Sequence, residues 1–245
     1  MPLILSLDTS TTTCSVALHQ DGNLLGCYEL FTERTSASML TTLIDNVVRH
    51  TGHELGQLDA LAVAKGPGSY TGLRIGVSTA KGLCFALDKP LLALNTLRAM
   101  TEQIRNVLPH RTAGPPRPLS LKQGEGEFFC PMIDARRMEV YCALYDVNGE
   151  ELRPTSAEII NEQSFGEWLA RGPVIFFGDG AAKCRAVLGH QPNAVFLQQR
   201  ITPSARTVGA LATAAFAEGQ FENVATFEPF YLKDFMTTQP RRAVV

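Results

Sequence analysis

The chain opens on a short unbroken apolar run, Leu3–Leu7. It then alternates, with Cys14, Val16 and Leu18 set against Ser15, Ala17 and His19. A continuous apolar run followed by period-two alternation predicts two strands. Gln20-Asp21-Gly22-Asn23 has the chemistry of a hairpin turn, so Leu24–Phe31 is expected to return as a third. From Ser36 to Arg49 the apolar spacing lengthens to that of a helix. A short apolar strand follows at Ala60–Ala64, then a glycine-rich turn, Gly66–Gly72, and a second helix, Leu73–Leu87. Pro90 ends that segment, and strand Leu91–Leu94 and helix Leu97–Leu108 complete the first half.

The second half repeats this order of elements without repeating its residues. Phe128–Asp134 and Met138–Asp146 read as strands, the latter ending at the turn Asn148-Gly149, with a third near Ala157–Ile160. Helix Glu162–Ala170, strand Val174–Phe177, helix Ala181–Leu188, strand Val195–Leu197 and helix Ala205–Glu218 follow. Each half is thus a three-stranded meander running into parallel crossovers, and three strands before the first helix argue against a plain doubly wound sheet. The fold class expected is α/β, a duplicated ribonuclease-H-like (actin-like, ASKHA) fold. Residues 1–108 would form the N-terminal half and 128–245 the C-terminal half with its tail. Between them, 109–127 carries prolines and glycines with almost no apolar periodicity, which reads as an exposed linker or insertion. A proline-rich recognition segment is the sharper alternative, but Pro115-Pro116-Arg117-Pro118 alone is weak support for it.

Composition narrows the classes. The 245 residues are long enough to bury a core without disulfide or metal staples. The balance of 22 basic against 24 acidic residues lacks the basic footprint of a dedicated nucleic-acid binder, although a local patch remains compatible with it. Six cysteines, with no C-x-x-C pair, read as buried thiols of a reducing compartment. The start has no basic segment before its short apolar run, and no apolar stretch reaches the roughly 20 residues of a membrane span. A cytoplasmic protein is the expectation.

Two loops are candidates for chemistry. Asp8-Thr9-Ser10-Thr11-Thr12 ends the first strand, where a carboxylate could hold a cation and backbone N–H groups an anion. The bland alternative is an acid and hydroxyls bonding their own turn, and this loop alone favours it. Lys65–Arg74, with Gly66, Gly68 and Gly72, stands before a helix, where glycines can cradle phosphate. It is neither a Walker loop nor G-x-G-x-x-G, and Pro67 removes one N–H, so a tight packed connection competes with a phosphate site. Asp8, Thr9, Gly66, Gly68 and Gly72 are therefore weak cofactor candidates, and no cofactor is assigned. His50 and His53, near Glu54, flank Gly52, which breaks the helical geometry a metal pair would need; a histidine at a helix C-terminus complements the dipole instead. No H-E-x-x-H or G-x-S-x-G is present.

The two helices of the first half carry more information. At about 100° per residue, Met39, Leu40, Leu43, Ile44, Val47 and Val48 cover one side of the first. On the second, Arg74, Ser78 and Lys81 make a polar stripe about 60° wide. The rest is apolar or small, with Gly76, Ala80 and Cys84 spaced as a groove for a neighbouring helix. A helix this dry needs cover beyond its own sheet. Burial beneath the linker or the second half is the alternative to a partner surface.

LILSLDTST at the start, KGPGSYTGLRIGVSTAKGL at 65–83, MIDARRMEVYCALYD at 132–146 and YLKDF at 231–235 resemble the TsaB (YeaZ) family. The resemblance runs through both halves and leaves 109–127 unmatched. It implies the duplicated actin-like fold and a part in making threonylcarbamoyladenosine beside the anticodon of tRNAs. It implies a non-catalytic partner of the transferase TsaD, joined by the ATPase TsaE. TsaD carries a metal-binding histidine pair on its first helix, and Ser36–Arg49 here contains no histidine. The "glycoprotease" label attached to the family is discounted on that ground. An ATP-dependent phosphotransferase or ATPase and a metallopeptidase stand as the competing functions.

By the same resemblance the first-half helices would meet TsaD, or a second copy when TsaD is absent. The surface expected comprises Met39, Leu40, Leu43, Ile44, Val47, Ile75, Gly76, Thr79, Ala80, Gly82 and Leu83. Contact with tRNA would be indirect. Arg241 and Arg242 could reach RNA phosphate, though a solvated tail is favoured.

Overall fold

The computed structural model describes residues 1–31, 37–107 and 127–233. The proline-rich stretch, apart from Glu127, and the two tail arginines lie outside them.

The first half forms β1 (Leu3–Asp8), β2 (Thr13–Gln20), β3 (Asn23–Phe31), α1 (Ala37–His50), β4 (Ala60–Gly66), α2 (Tyr70–Leu87), β5 (Leu91–Asn95) and α3 (Thr96–Val107), with a 3-10 turn at Leu55–Gln57. The second half forms β6 (Phe128–Asp134), β7 (Glu139–Tyr145), β8 (Glu151–Ile159), α4 (Gly166–Arg171), β9 (Val174–Phe177), α5 (Ala181–Leu188), β10 (Ala194–Phe196) and α6 (Ala205–Ala217). The first sheet has the order β3-β2-β1-β4-β5 and the second the order β10-β9-β6-β7-β8. Both place an antiparallel meander beside two parallel crossover strands, so the duplication read from element order holds strand for strand.

β8 is longer than the expected Ala157–Ile160 and contains Pro154. A proline cannot donate to a ladder, but β8 is an edge strand, where the missing N–H costs nothing. α2 begins three residues earlier than expected because Ser69 caps it, its hydroxyl accepting from Gly72 N–H at 3.3 Å.

The helices form three layers around the two sheets. α1 and α2 cover one face of the first sheet, with Leu5, Leu7, Val16, Leu40, Ile44, Val47 and Val77 in one cluster. Its other face packs on α6 and α3 through small side chains, among them Ala60, Ala62, Ala64, Ala99 and Ala212. α3 also meets the second sheet, through Leu97, Met100 and Ile104 against Phe129, Ile133 and Tyr145. α4 and α5 close the far side. The helical layer between the sheets is therefore shared, and the last helix of the C-terminal half rests on the sheet of the N-terminal half. No disulfide joins any of the six cysteines, and five of them are buried. No helix among the described residues is long and apolar enough to cross a membrane.

Candidate functional site

Because β1 and β4 are parallel neighbours, their C-terminal ends lie side by side and the loops leaving them meet. Ser69 N–H donates to the Ser10 carbonyl at 2.6 Å, and Thr9 Oγ1 donates to the Gly72 carbonyl at 2.7 Å. A side chain on Gly68 would run into the Ser10 carbonyl, and one on Gly72 into the Thr9 carbonyl. Gly66 has φ +115°, and the Phe230 carbonyl closes over it. Asp8, Thr9, Gly66, Gly68 and Gly72 are thus brought together. The space beside these glycines is filled by the chain's own backbone, which is why glycine is needed there. A phosphate cradle requires N–H groups turned outward; here the Ser69 N–H is spent on the Ser10 carbonyl and the Gly72 N–H on the Ser69 hydroxyl, and the arrangement is a joint packing the end of β1 against the start of α2.

Asp8 is fully buried at this joint. Its Oδ1 accepts from Ser10 N–H at 2.9 Å and from Ser10 Oγ at 2.7 Å, while Oδ2 has no partner among the described residues. Burial pushes the carboxyl up to about 6; the Ser10 bonds pull the other way and the Glu29 charge adds to the rise.

The helix pair offers a different kind of site. Leu40, Leu43, Ile44 and Val47 are buried against the first sheet, as are Gly76 and Ala80 of α2. The expected helix groove at Gly76, Ala80 and Cys84 faces inward; Gly76 is small because the Thr9 hydroxyl sits against it. These residues are core of the monomer because a helix on an α/β sheet spends its first apolar face on that sheet. What stays outside is narrower: half-buried Met39, Ile75, Thr79 and Leu83 and exposed Gly82. Phe85, 87% exposed, joins them and was not among the expected surface residues. The spacing held the signal, since Arg74, Ser78, Lys81 and Phe85 follow one line along the helix at i, i+4, i+7 and i+11.

One flank of α2 is covered from within. Lys81 Nζ donates to the Phe227 carbonyl at 2.8 Å and the Ala225 carbonyl at 3.3 Å, holding the segment after α6 against the helix. A side chain on Gly82, by contrast, would meet nothing within 4 Å.

α1 ends one residue beyond the expected Arg49, at His50, whose Nδ1 shares a 2.6 Å hydrogen bond with Tyr28 Oη. Among the described residues no group of three or more histidine, cysteine or acidic side chains could hold a metal ion.

Two sheets of one strand order with helices shared between them define a duplicated ribonuclease-H-like, actin-like protein. Residues 29–238 match the family described as "TsaD: tRNA N6-adenosine threonylcarbamoyltransferase". The tRNA threonylcarbamoyladenosine biosynthesis protein TsaB of Escherichia coli strain K12 is 32% identical over 94% of this chain and 94% of its own length. That of Haemophilus influenzae is 30% identical over 96% and 94%. The solved structure of YeaZ from Pseudomonas aeruginosa superposes with a TM-score of 0.75 at 29% identity, covering 95% of this chain and all of that one. The chain belongs to the TsaB (YeaZ) family.

Proposed function

We propose that this protein is the non-catalytic subunit of a cytoplasmic assembly that makes threonylcarbamoyladenosine in tRNA. It holds the transferase TsaD through the outward faces of α1 and α2, is joined by TsaE, and pairs with a second copy when TsaD is absent. Gly82 is the observation that supports this most. A glycine inside a helix costs about 1 kcal/mol relative to alanine. Most of the described glycines have an internal reason, a positive φ or a close neighbour; Gly82, like Gly56 and Gly166, has neither, and of these three only Gly82 lies in the interior of a long helix. A backbone approaching from outside supplies the missing reason, and exposed Phe85, three residues on, supplies an anchor for it.

The same reading fits the chemistry. The resemblance places a metal-binding histidine pair on the transferase's first helix, and α1 here has a single histidine, at its last residue and bonded to Tyr28. The joint between Asp8–Ser10 and Gly66–Gly72 is closed by the chain itself. Support of a partner's active conformation therefore accounts for more of the structure than phosphoryl transfer or peptide hydrolysis does.

Gly82→Trp and Phe85→Asp test it, since both side chains project from the monomer and leave its core untouched. Co-purification with TsaD and sedimentation of the isolated chain should both show loss of association, with circular dichroism unchanged. Undiminished association by both folded variants would overturn the reading. Gly76→Trp is unsuitable, because it would unseat α2 from Thr9.

A further inference from the structure

The turn between β6 and β7 is built against backbone preference. Arg136 and Arg137, at its tip, have φ of +72° and +50°, the left-handed region that glycine and asparagine fill at low cost. The turn itself closes normally, with Ala135 N–H on the Glu139 carbonyl and Glu139 N–H on the Arg136 carbonyl, both at 3.1 Å. Nothing in the hairpin requires arginine at either position, and both side chains are exposed. Among the described residues neither guanidinium has an ion-pair partner. The neighbouring acids are already engaged: Asp134 with Lys183 at 2.5 Å, and Glu139 with Lys233.

A small cleft of about 30 Å³ lies where the two halves meet, and the charge of Arg136 reaches Tyr141 in its wall. The Tyr70 and Tyr231 rings lie 4.8 Å apart, tilted by 33°, on one side, with Arg74 over the Tyr70 ring. Tyr141, half-buried on the other side, has Lys233 over its face. Cations and half-exposed aromatic rings thus surround one opening, in a chain whose overall charge is −2. That combination suits a single-stranded nucleic acid, with phosphates on the arginines and an unpaired base against a ring. It suits a protein partner less, since no broad apolar patch accompanies it.

We infer that the β6–β7 turn and the cleft form a direct contact surface for unpaired RNA, and that Arg136 and Arg137 are its phosphate-binding residues. This rests on the proposed role in tRNA modification and departs from the expectation of purely indirect tRNA contact. The strained tip is then the cost of presenting two guanidinium groups at once.

The test is binding of an unmodified anticodon stem-loop transcript by fluorescence anisotropy across a salt series. It is run on the isolated chain and on its complex with TsaD, with a fully paired duplex and heparin as comparison ligands. Arg136→Gly/Arg137→Gly should weaken stem-loop binding on the order of tenfold and flatten the log–log salt slope by about 1.4, two single-strand phosphate contacts. It should at the same time raise the melting temperature, because glycine relieves the turn. Arg136→Lys/Arg137→Lys should retain most of the affinity. Unchanged stem-loop affinity in both preparations, or equal loss toward duplex and heparin, would overturn the inference. So would loss of TsaD association with RNA binding intact, which would assign the turn to a protein contact. Phe85→Asp separates the two readings: it should abolish TsaD association and leave RNA affinity untouched.

Discussion

Thr9 Oγ1 donates to the Gly72 carbonyl at 2.7 Å, and a methyl group on Gly76, one helical turn further on, would strike that same oxygen. One hydroxyl therefore seats the start of α2 on the end of β1. Gly76→Ala is expected to destabilise the protein by about 1–3 kcal/mol, overpacking outweighing the gain of about 1 kcal/mol in helix propensity. Thr9→Ala removes the obstructing atom, so the double variant should recover most of the loss. Urea denaturation of the four proteins measures the coupling, and strictly additive effects would refute this account.

Asp8 sets a pH dependence whose sign follows from its burial. Its folded-state value, about 6, lies above the ordinary 3.8, so the folded protein holds the proton more tightly than the unfolded chain. Stability is then greatest where the group is protonated in both states, falls as pH rises from about 4 to about 6, and is level above that. The penalty at neutral pH is on the order of 2–3 kcal/mol. Asp8→Asn keeps an acceptor for Ser10 and carries no charge. It should be more stable than the parent at pH 8 and lose that advantage by about pH 4. Urea midpoints across this range check it; an advantage independent of pH would show that charge is not the cause.

Both sheets were legible because their strands alternate or run apolar at a fixed period, and the crossover helices change that period plainly. β8 was only half legible, since Pro154 hides a strand unless its edge position is known. The meeting of Asp8–Ser10 with Gly66–Gly72 follows from β1 and β4 being parallel neighbours, but its closed packing was not readable. A glycine that admits a carbonyl and one that admits a phosphate look alike in sequence. On α2 the apolar arc was read correctly and divided wrongly: Ala80 and Gly76 belong to the core, while Phe85, in line with Arg74 and Lys81, faces out. The strap after α6 carries no periodicity at all, because its order comes from Lys81 and from Phe230 N–H on the Lys65 carbonyl at 2.7 Å.

That strap yields its own prediction. Lys81→Met keeps the apolar stem against the helix and removes the donor that two carbonyls share. A loss of about 1–2 kcal/mol is expected, concentrated locally. Amide hydrogen exchange should speed up in residues 222–230 and hardly change in β1 or β4. Uniform acceleration across the chain would mean that Lys81 supports the whole fold and not the strap alone.

Gly82 allows a prediction in which stability and association move oppositely. A Cβ placed there meets open space, so Gly82→Ala should stabilise the isolated monomer by about 0.5–1 kcal/mol, the ordinary helix-propensity gain. If the glycine admits a neighbouring backbone, the same methyl should weaken association with TsaD or with a second copy. Larger side chains at the position should weaken it further in order of size. Thermal melts at concentrations low enough to keep the chain monomeric give the first quantity, and sedimentation at higher concentration gives the second. A monomer that gains stability while associating as tightly as before would leave the helix interface without its clearest structural mark. A monomer that loses stability would mean that Gly82 serves the chain's own fold.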